Sequence, residues 1–244
     1  MHGGHPPPPW LEGSTDDPAN PCIVLEHLDG TLYDVLSGNF DTNFGAGASG
    51  EGRRLDELGV LPVLRDVAAA LAYLHSRPRP FIHRDVKPVN VLCLGAARVK
   101  LTDFGTACEL PAGDARLTEC IGSALYMSPQ VERELPYGLP ADVFSFGCTL
   151  YEVFHMVKTG ENFAHDTAIL EGMETLRRPV CTSPQEMPAR PQGACGDQMW
   201  KLICECLQVE EALRPTFREV VARLCSIEDH LGHGHITTWL AHGE

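Results

Sequence analysis

No apolar stretch in this chain reaches membrane-spanning length without a charge. The strongest, Val143 to Val157, contains Glu152 and follows Asp142, so a buried core helix is expected, with no transmembrane segment and a soluble chain. Positive charge is scarce as well: 19 Lys and Arg stand against 33 Asp and Glu, a formal net charge of −14. Phosphate-rich surfaces repel such a chain at long range, which argues against nucleic acid and anionic membranes as partners and leaves a basic peptide compatible. Cysteines at CxxC spacing are missing, and no secretory signal is read; the ten cysteines are dispersed. Reduced thiols in an intracellular, cytoplasmic protein are expected rather than a disulfide scaffold. Lysine is absent until Lys87.

What is present suits one domain: 244 residues with 43% hydrophobic content are enough for a sizeable core. Residues 1–21, rich in Pro, Gly and Asp, read as loop or frayed strand, an irregular remnant or connector. Cys22 to Glu26 is a short β-branched apolar run, broken by His27 to Gly30 before a helical pattern that begins at Thr31. Gly45 to Gly50 spells GxGxxG, yet a phosphate-cradling loop must join two strands or a strand and a helix, and this segment follows a helix. It reads as part of a flexible insertion over residues 39–54. From Leu55 to His75, Leu58, Leu61, Leu64, Val67, Leu71 and Leu74 recur at helical spacing. Val91 to Cys93 and Val99 to Leu101 read as a short strand pair, and further helices are expected over 140–157, 166–176, 197–207 and 215–228. The tail 229–244 carries His230, His233, His235 and His242, but their spacing fits no standard zinc site even with Cys225 near, and a solvated tail is expected.

The run Phe81-Ile82-His83-Arg84-Asp85-Val86-Lys87-Pro88-Val89-Asn90 is followed, thirteen residues beyond Asn90, by Asp103-Phe104-Gly105. These residue types in this order make a phosphoryl-transfer set. Asp85 can take a proton from an attacking hydroxyl, Lys87 can sit on the moving phosphate, and Asn90 with Asp103 can hold magnesium, an oxygen-seeking ion. A loop, a short strand pair and a turn return all four to one point.

By these residues the chain resembles the eukaryotic protein kinase family over roughly residues 22–228. The string Gly122-Ser123-Ala124-Leu125-Tyr126-Met127-Ser128-Pro129-Gln130 is similar to the end of a kinase activation segment, and Asp142 in DVFSFG and Arg214 in RPTF match too. The resemblance implies an α+β, predominantly α-helical fold: a kinase-like C-terminal lobe with a hinge strand and short β pairs. Because 21 residues precede Cys22, it also implies that most of the N-terminal lobe is absent.

The function implied is transfer of the γ-phosphate of ATP, with Mg2+, to Ser or Thr hydroxyls of a protein substrate. Lys87 two residues after Asp85, and Ser123 after Gly122, favour that specificity. In this likeness Asp85 is the base and Asn90 and Asp103 the metal ligands. Leu25 is the gatekeeper, the backbone of Glu26 and Leu28 holds adenine, and Leu92 forms its floor. His83 and Phe104 stack in a hydrophobic spine, and Gly105 and Asp142 are structural. Arg84 takes an activation-loop phosphate; Glu119 stands where the phosphate-bearing residue commonly lies and Thr118 is its neighbour, so either a constitutive carboxylate or phosphorylated Thr118 is expected there. Gln130 replaces the family glutamate that pairs with the arginine at 214, which predicts a retained hydrogen bond without a charge pair and a less firmly anchored activation segment. SFGCTLYEV and CLQVEEAL lean toward receptor-like and tyrosine-kinase-like Ser/Thr kinases. The family's small-lobe lysine, its glutamate and its glycine loop have no counterpart before the hinge. Two readings follow: a kinase seen as a fragment, or a pseudokinase-like lobe serving as scaffold or competitor.

Overall fold

The apolar run Val143 to Val157 folds as a helix with no solvent-facing stripe, since every residue from Ala141 to Phe154 is buried. A helix that is apolar all round must be covered on every side, and the rest of the fold supplies the cover. The computed structural model describes residues 11–14, 23–37, 57–94, 98–110, 116–159 and 196–230. In chain order these form strands β1 (Leu11–Ser14), β2 (Ile23–Leu25) and β3 (Gly30–Thr31), then helices α1 (Leu32–Ser37) and α2 (Glu57–His75). Strands β4 (Phe81–Ile82), β5 (Val91–Leu94), β6 (Arg98–Leu101) and β7 (Cys108–Glu109) follow. Helices α3 (Pro129–Glu132), α4 (Pro140–Thr159), α5 (Gly196–Cys206) and α6 (Phe217–His230) complete them.

Among the described residues the strands make three small antiparallel sheets, β1–β2, β3–β5–β6 and β4–β7. Leu11 lies opposite Leu25, Gly30 opposite Cys93, Val91 opposite Leu101 and Ile82 opposite Cys108. The main core joins α1, α2, α4, α5 and α6 through Leu36, Leu64, Leu71, Phe144, Phe146, Leu202 and Phe217. A second, smaller cluster gathers Ile82, Val131, Tyr137 and Ala141 under the segment that ends at α3.

Local chemistry sets the helix starts. Thr31 and Asp34 make a reciprocal cap, in which the Thr31 N–H donates to Asp34 Oδ2 at 3.0 Å and the Asp34 N–H donates to Thr31 Oγ1 at 3.1 Å. Thr31 therefore closes β3 and caps α1 rather than entering the helix. Thr216 and Glu219 repeat the device before α6, and Ser128 caps α3 with Pro129 in its first turn.

Within residues 1–21, read as loop or frayed strand, Leu11–Ser14 form β1 and pair with β2. One expectation is corrected. His230 does not belong to a solvated tail: α6 runs through it, and its Nδ1 donates to the Ser226 carbonyl at 2.7 Å. The expected insertion at 39–54, the helix at 166–176, and His233, His235 and His242 lie outside the described residues. No helix among the described residues is long and apolar enough to cross a membrane.

Helices α4 and α5 meet at Gly147, where a Cβ would stand 2.8 Å from Cys206 Cβ and 3.0 Å from Leu207 side-chain atoms. Gly147→Ala should lower stability by up to about 2 kcal/mol, an overpacking cost of about 1–3 kcal/mol less the roughly 1 kcal/mol gained in helix propensity. Urea unfolding checks this; an unchanged or raised midpoint would show that the helices separate without cost.

Candidate active site

The site is built on one buried carboxylate. Asp142, fully buried in the first turn of α4, accepts the His83 N–H at Oδ2 and the Arg84 N–H at Oδ1, each at 2.8 Å. His75, at the end of α2, places Nε2 2.9 Å from the same Oδ2. These bonds hold the loop between β4 and β5 with Arg84 at φ 68°, a conformation an arginine rarely adopts. That reversal turns Asp85 toward Lys87, Asn90 and Ser123.

Asp85 is 6% exposed, and its carboxylate accepts three hydrogen bonds. Its Oδ2 accepts Lys87 Nζ at 2.7 Å and Asn90 Nδ2 at 2.9 Å, and its Oδ1 accepts the Ser123 N–H at 3.0 Å. Lys87 Nζ also donates to Ser123 Oγ at 2.6 Å. Burial alone raises the Asp85 pKa, but the hydrogen bonds from Lys87, Ser123 and Asn90 and the Lys87 charge outweigh it and hold the carboxyl below its usual range. Ser123 comes this close because Gly122 precedes it: at φ 123° a Cβ would sit 2.3 Å from the Arg84 carbonyl oxygen, which leaves no room for any side chain.

The strand end that carries Asp103 is tied to the same loop. The Thr102 N–H donates to the Asn90 carbonyl at 2.9 Å, and His83 Nε2 donates to the Thr102 carbonyl at 3.0 Å. Asp103 itself is exposed at φ 61°, with the Gly105 N–H 3.4 Å from its Oδ1. The rings of His83 and Phe104 meet edge to face, with centroids 5.0 Å apart at 66°, rather than stacking flat. Asn90 spends its Nδ2 on Asp85, at the backbone carbonyl (2.8 Å) and at Oδ2. The acceptor end of that amide, together with the Asp103 carboxylate, offers the oxygen donors that magnesium takes. No cluster of three His, Cys, Asp or Glu side chains among the described residues is placed to hold a metal, so a magnesium ion here depends on oxygens from elsewhere, such as phosphate.

Of the residues expected at the hinge, Leu25 is half exposed and Leu28 and Leu92 are partly buried. Glu26 pairs with Lys100 and lies 3.9 Å from Arg98, both on β6; the Lys100 hydrogen bond lowers its pKa. The Asp29 N–H donates to the Cys93 carbonyl at 2.9 Å, which draws this segment against the sheet holding Leu92.

Arg84 reaches two ways from the loop. Its Nε donates to the Thr106 carbonyl at 2.5 Å and its Nη1 to Glu119 Oε2 at 2.7 Å, while Thr118 stands exposed beside Glu119. Farther along, Gln130 Oε1 accepts Arg214 Nη2 at 2.7 Å and its Nε2 donates to the Val209 carbonyl at 2.7 Å. The second bond is one a carboxylate cannot make, so the amide uses both ends where the sequence suggested only a weakened pairing. Burial lowers the Arg214 pKa to about 10.

Sequence reasoning missed two buried contacts of this region. Tyr126, in the 3₁₀ turn after Ser123, donates its hydroxyl to Glu152 Oε2 at 2.6 Å. Glu152 is fully buried, its Oε1 has no hydrogen-bond partner among the described residues, and burial pushes its carboxyl up to about 7. A carboxylate inside an apolar run was the available signal, and it had served only to exclude a membrane span. Tyr137, also fully buried, donates to the Glu119 carbonyl at 2.9 Å, and nothing in its neighbouring sequence marks it.

An aspartate, a lysine and an amide thus share one loop, with a second aspartate tied beside them on a mostly helical scaffold. Residues 10–224 match the protein kinase domain, and the chain belongs to that family. It is 33% identical over 218 residues to a serine/threonine-protein kinase/receptor of Acanthamoeba polyphaga mimivirus, covering 88% of this chain and 12% of that protein. It is 34% identical over 172 residues to serine/threonine-protein kinase 12 of Arabidopsis thaliana, covering 69% and 35%. With serine/threonine-protein kinase 36 of Mus musculus it shares 34% identity over 131 residues, covering 54% and 9%. These relatives are serine/threonine-protein kinases, and the chain spans about a third or less of their length.

Proposed function

We propose that the chain carries the catalytic-loop half of a serine/threonine kinase site that moves the γ-phosphoryl group of ATP to a Ser or Thr hydroxyl of a protein. The observation that carries this reading is the closed network of Asp85, Lys87, Asn90 and Ser123. Asp85 orients the substrate hydroxyl and takes its proton as the oxygen bonds to the γ-phosphorus and the bond to the bridging oxygen of ADP breaks. Lys87, fixed by Asp85 and Ser123, sets its charge against the transferred group, and Asn90 holds the Asp85 carboxylate in register. Magnesium, held by Asn90 and Asp103, would screen the phosphate charge of the nucleotide. Adenine lies, in this reading, between Leu25 and Leu92 against the backbone of Glu26 and Leu28. Glu119 supplies Arg84 with a standing negative charge in place of phosphorylated Thr118.

One observation favours a second reading. No lysine occurs among residues 1–86, so the phosphate clamp that faces Lys87 in the family either comes from outside this sequence or is dispensed with in a scaffold or competitor. Phosphorylation of a basic protein in magnesium and ATP separates the two. Asp85→Asn should lower kcat about 10²–10⁴-fold, as removal of a positioned proton acceptor does, and leave the magnesium–ATP thermal shift in place. A folded wild-type chain with neither shift nor transfer would favour the scaffold.

A further inference from the structure

The ion pair between Arg84 and Glu119 is weakly placed by itself. The Arg84 side chain is 8% exposed but that of Glu119 is 62% exposed, and a carboxylate so open to water has many alternatives to one guanidinium. The backbone of residues 117–119, not the charge, is what is fixed. Tyr137 fixes it: its N–H donates to the Leu117 carbonyl at 2.8 Å, its carbonyl accepts the Leu117 N–H at 3.0 Å, and its hydroxyl donates to the Glu119 carbonyl at 2.9 Å. The residue is fully buried in the smaller core with Ile82, Val131 and Ala141, and Leu117 packs on the same cluster. Burial keeps the phenol neutral against the pull of Arg84, so the hydroxyl remains a donor. Arg116 adds an outer tie, pairing with Glu211 and donating to the Pro136 carbonyl at 3.3 Å.

We propose that Tyr137 is a positioning residue that holds the backbone of residues 117–119 so that Glu119 meets Arg84 without a phosphate. The proposal rests on the reading of Glu119 as the partner of Arg84, and deepens it. Two of its three bonds are main chain and survive any substitution, whereas the hydroxyl alone sets the Glu119 end. Arg84 in turn adjoins Asp85, so slack at Glu119 reaches the catalytic loop through one residue.

Hydrogen exchange of the full chain, followed by mass spectrometry, tests this without requiring activity. Tyr137→Phe keeps the ring and should leave the melting temperature within a few degrees, while amides of residues 117–122 exchange about five- to tenfold faster. That exchange should quicken further as sodium chloride rises from about 0.05 to 0.5 M in the variant but not in the wild type, because at the Glu119 end the screened ion pair then stands without the hydroxyl bond. Glu119→Gln removes the charge and keeps the Tyr137 bond, so it should hold protection within about twofold of wild type. Unchanged exchange in Tyr137→Phe, or loss of protection in Glu119→Gln, overturns the proposal. If exchange responds as stated while Glu119→Gln transfers phosphate at the wild-type rate, the positioning stands and Glu119 is no activating charge.

Discussion

Replacing Asp142 by alanine is expected to cost about 3–5 kcal/mol of unfolding free energy and to lower the melting temperature by about 10 °C or more. The carboxylate is fully buried and accepts from two main-chain N–H groups and the His75 ring. Its removal leaves those donors in a dry interior, each costing roughly 1–3 kcal/mol. Among the described residues the Asp142 bonds are the most direct restraint on Arg84 at φ 68°, so the loop would relax toward ordinary backbone and carry Asp85 out of register with Ser123. Calorimetry and circular dichroism check the stability. A variant that melts within 2 °C of wild type, on the roughly 10 °C scale set by this estimate, would mean that water or another acceptor replaces the carboxylate.

The second large effect is a pH dependence centred on Glu152. Its folded pKa is raised to about 7 from the ordinary 4.5, by burial and against the Tyr126 hydrogen bond. A raised carboxyl stabilises the fold fully below pH 4.5 and loses that contribution as pH climbs to about 7, because the folded state then holds a proton the unfolded chain has released. Relative to Glu152→Gln, which cannot ionise, the wild type should lose roughly 3 kcal/mol across that window. Urea unfolding of both proteins at intervals from pH 4.5 to 8 gives the difference directly. Parallel curves would show that the pocket admits water or a cation and that the charge is tolerated. Tyr126 lies three residues after Ser123, and its hydrogen bond favours the ionised carboxyl, so the same titration should tighten its hold on Glu152 beside the turn that flanks the Lys87 contact.

The catalytic loop was legible because its chemistry is nearly contiguous. His83 to Asn90 act on each other at short range, and the amphipathic spacing of α2 announces the helix that delivers them. The helices expected at 55–75, 140–157, 197–207 and 215–228 all appear within two residues at their ends, the last beginning and ending two residues later. β1 was legible only as loop or frayed strand, since four residues flanked by turn formers acquire strand geometry only from their partner β2. Tyr137 and His75 carry no local signature at all; each matters through a hydrogen bond to a residue far along the chain. The roles of Tyr126 and Glu152 were hidden for a similar reason, because a phenol and a carboxylate 26 positions apart declare themselves only once α4 is enclosed. The hinge lies between these cases: its apolar run is visible, but the hold of Lys100 on Glu26 is a product of sheet register.

The Gln130 and Arg214 contact bears on how the protein meets acid. Every hydrogen bond accepted from the Arg214 guanidinium ends on a neutral oxygen: the Gln130 amide and the carbonyls of Pro140, Gln208 and Val209. Protons at about pH 3–4 discharge carboxylates but leave such oxygens untouched. Acid therefore strikes Arg84–Glu119 and Arg65–Glu228, and it removes the attraction of the Glu211 and Glu210 charges for Arg214, but it leaves the four guanidinium hydrogen bonds their acceptors. In a vinegar-strength bath the clasp that uses no carboxylate as an acceptor keeps every oxygen it holds.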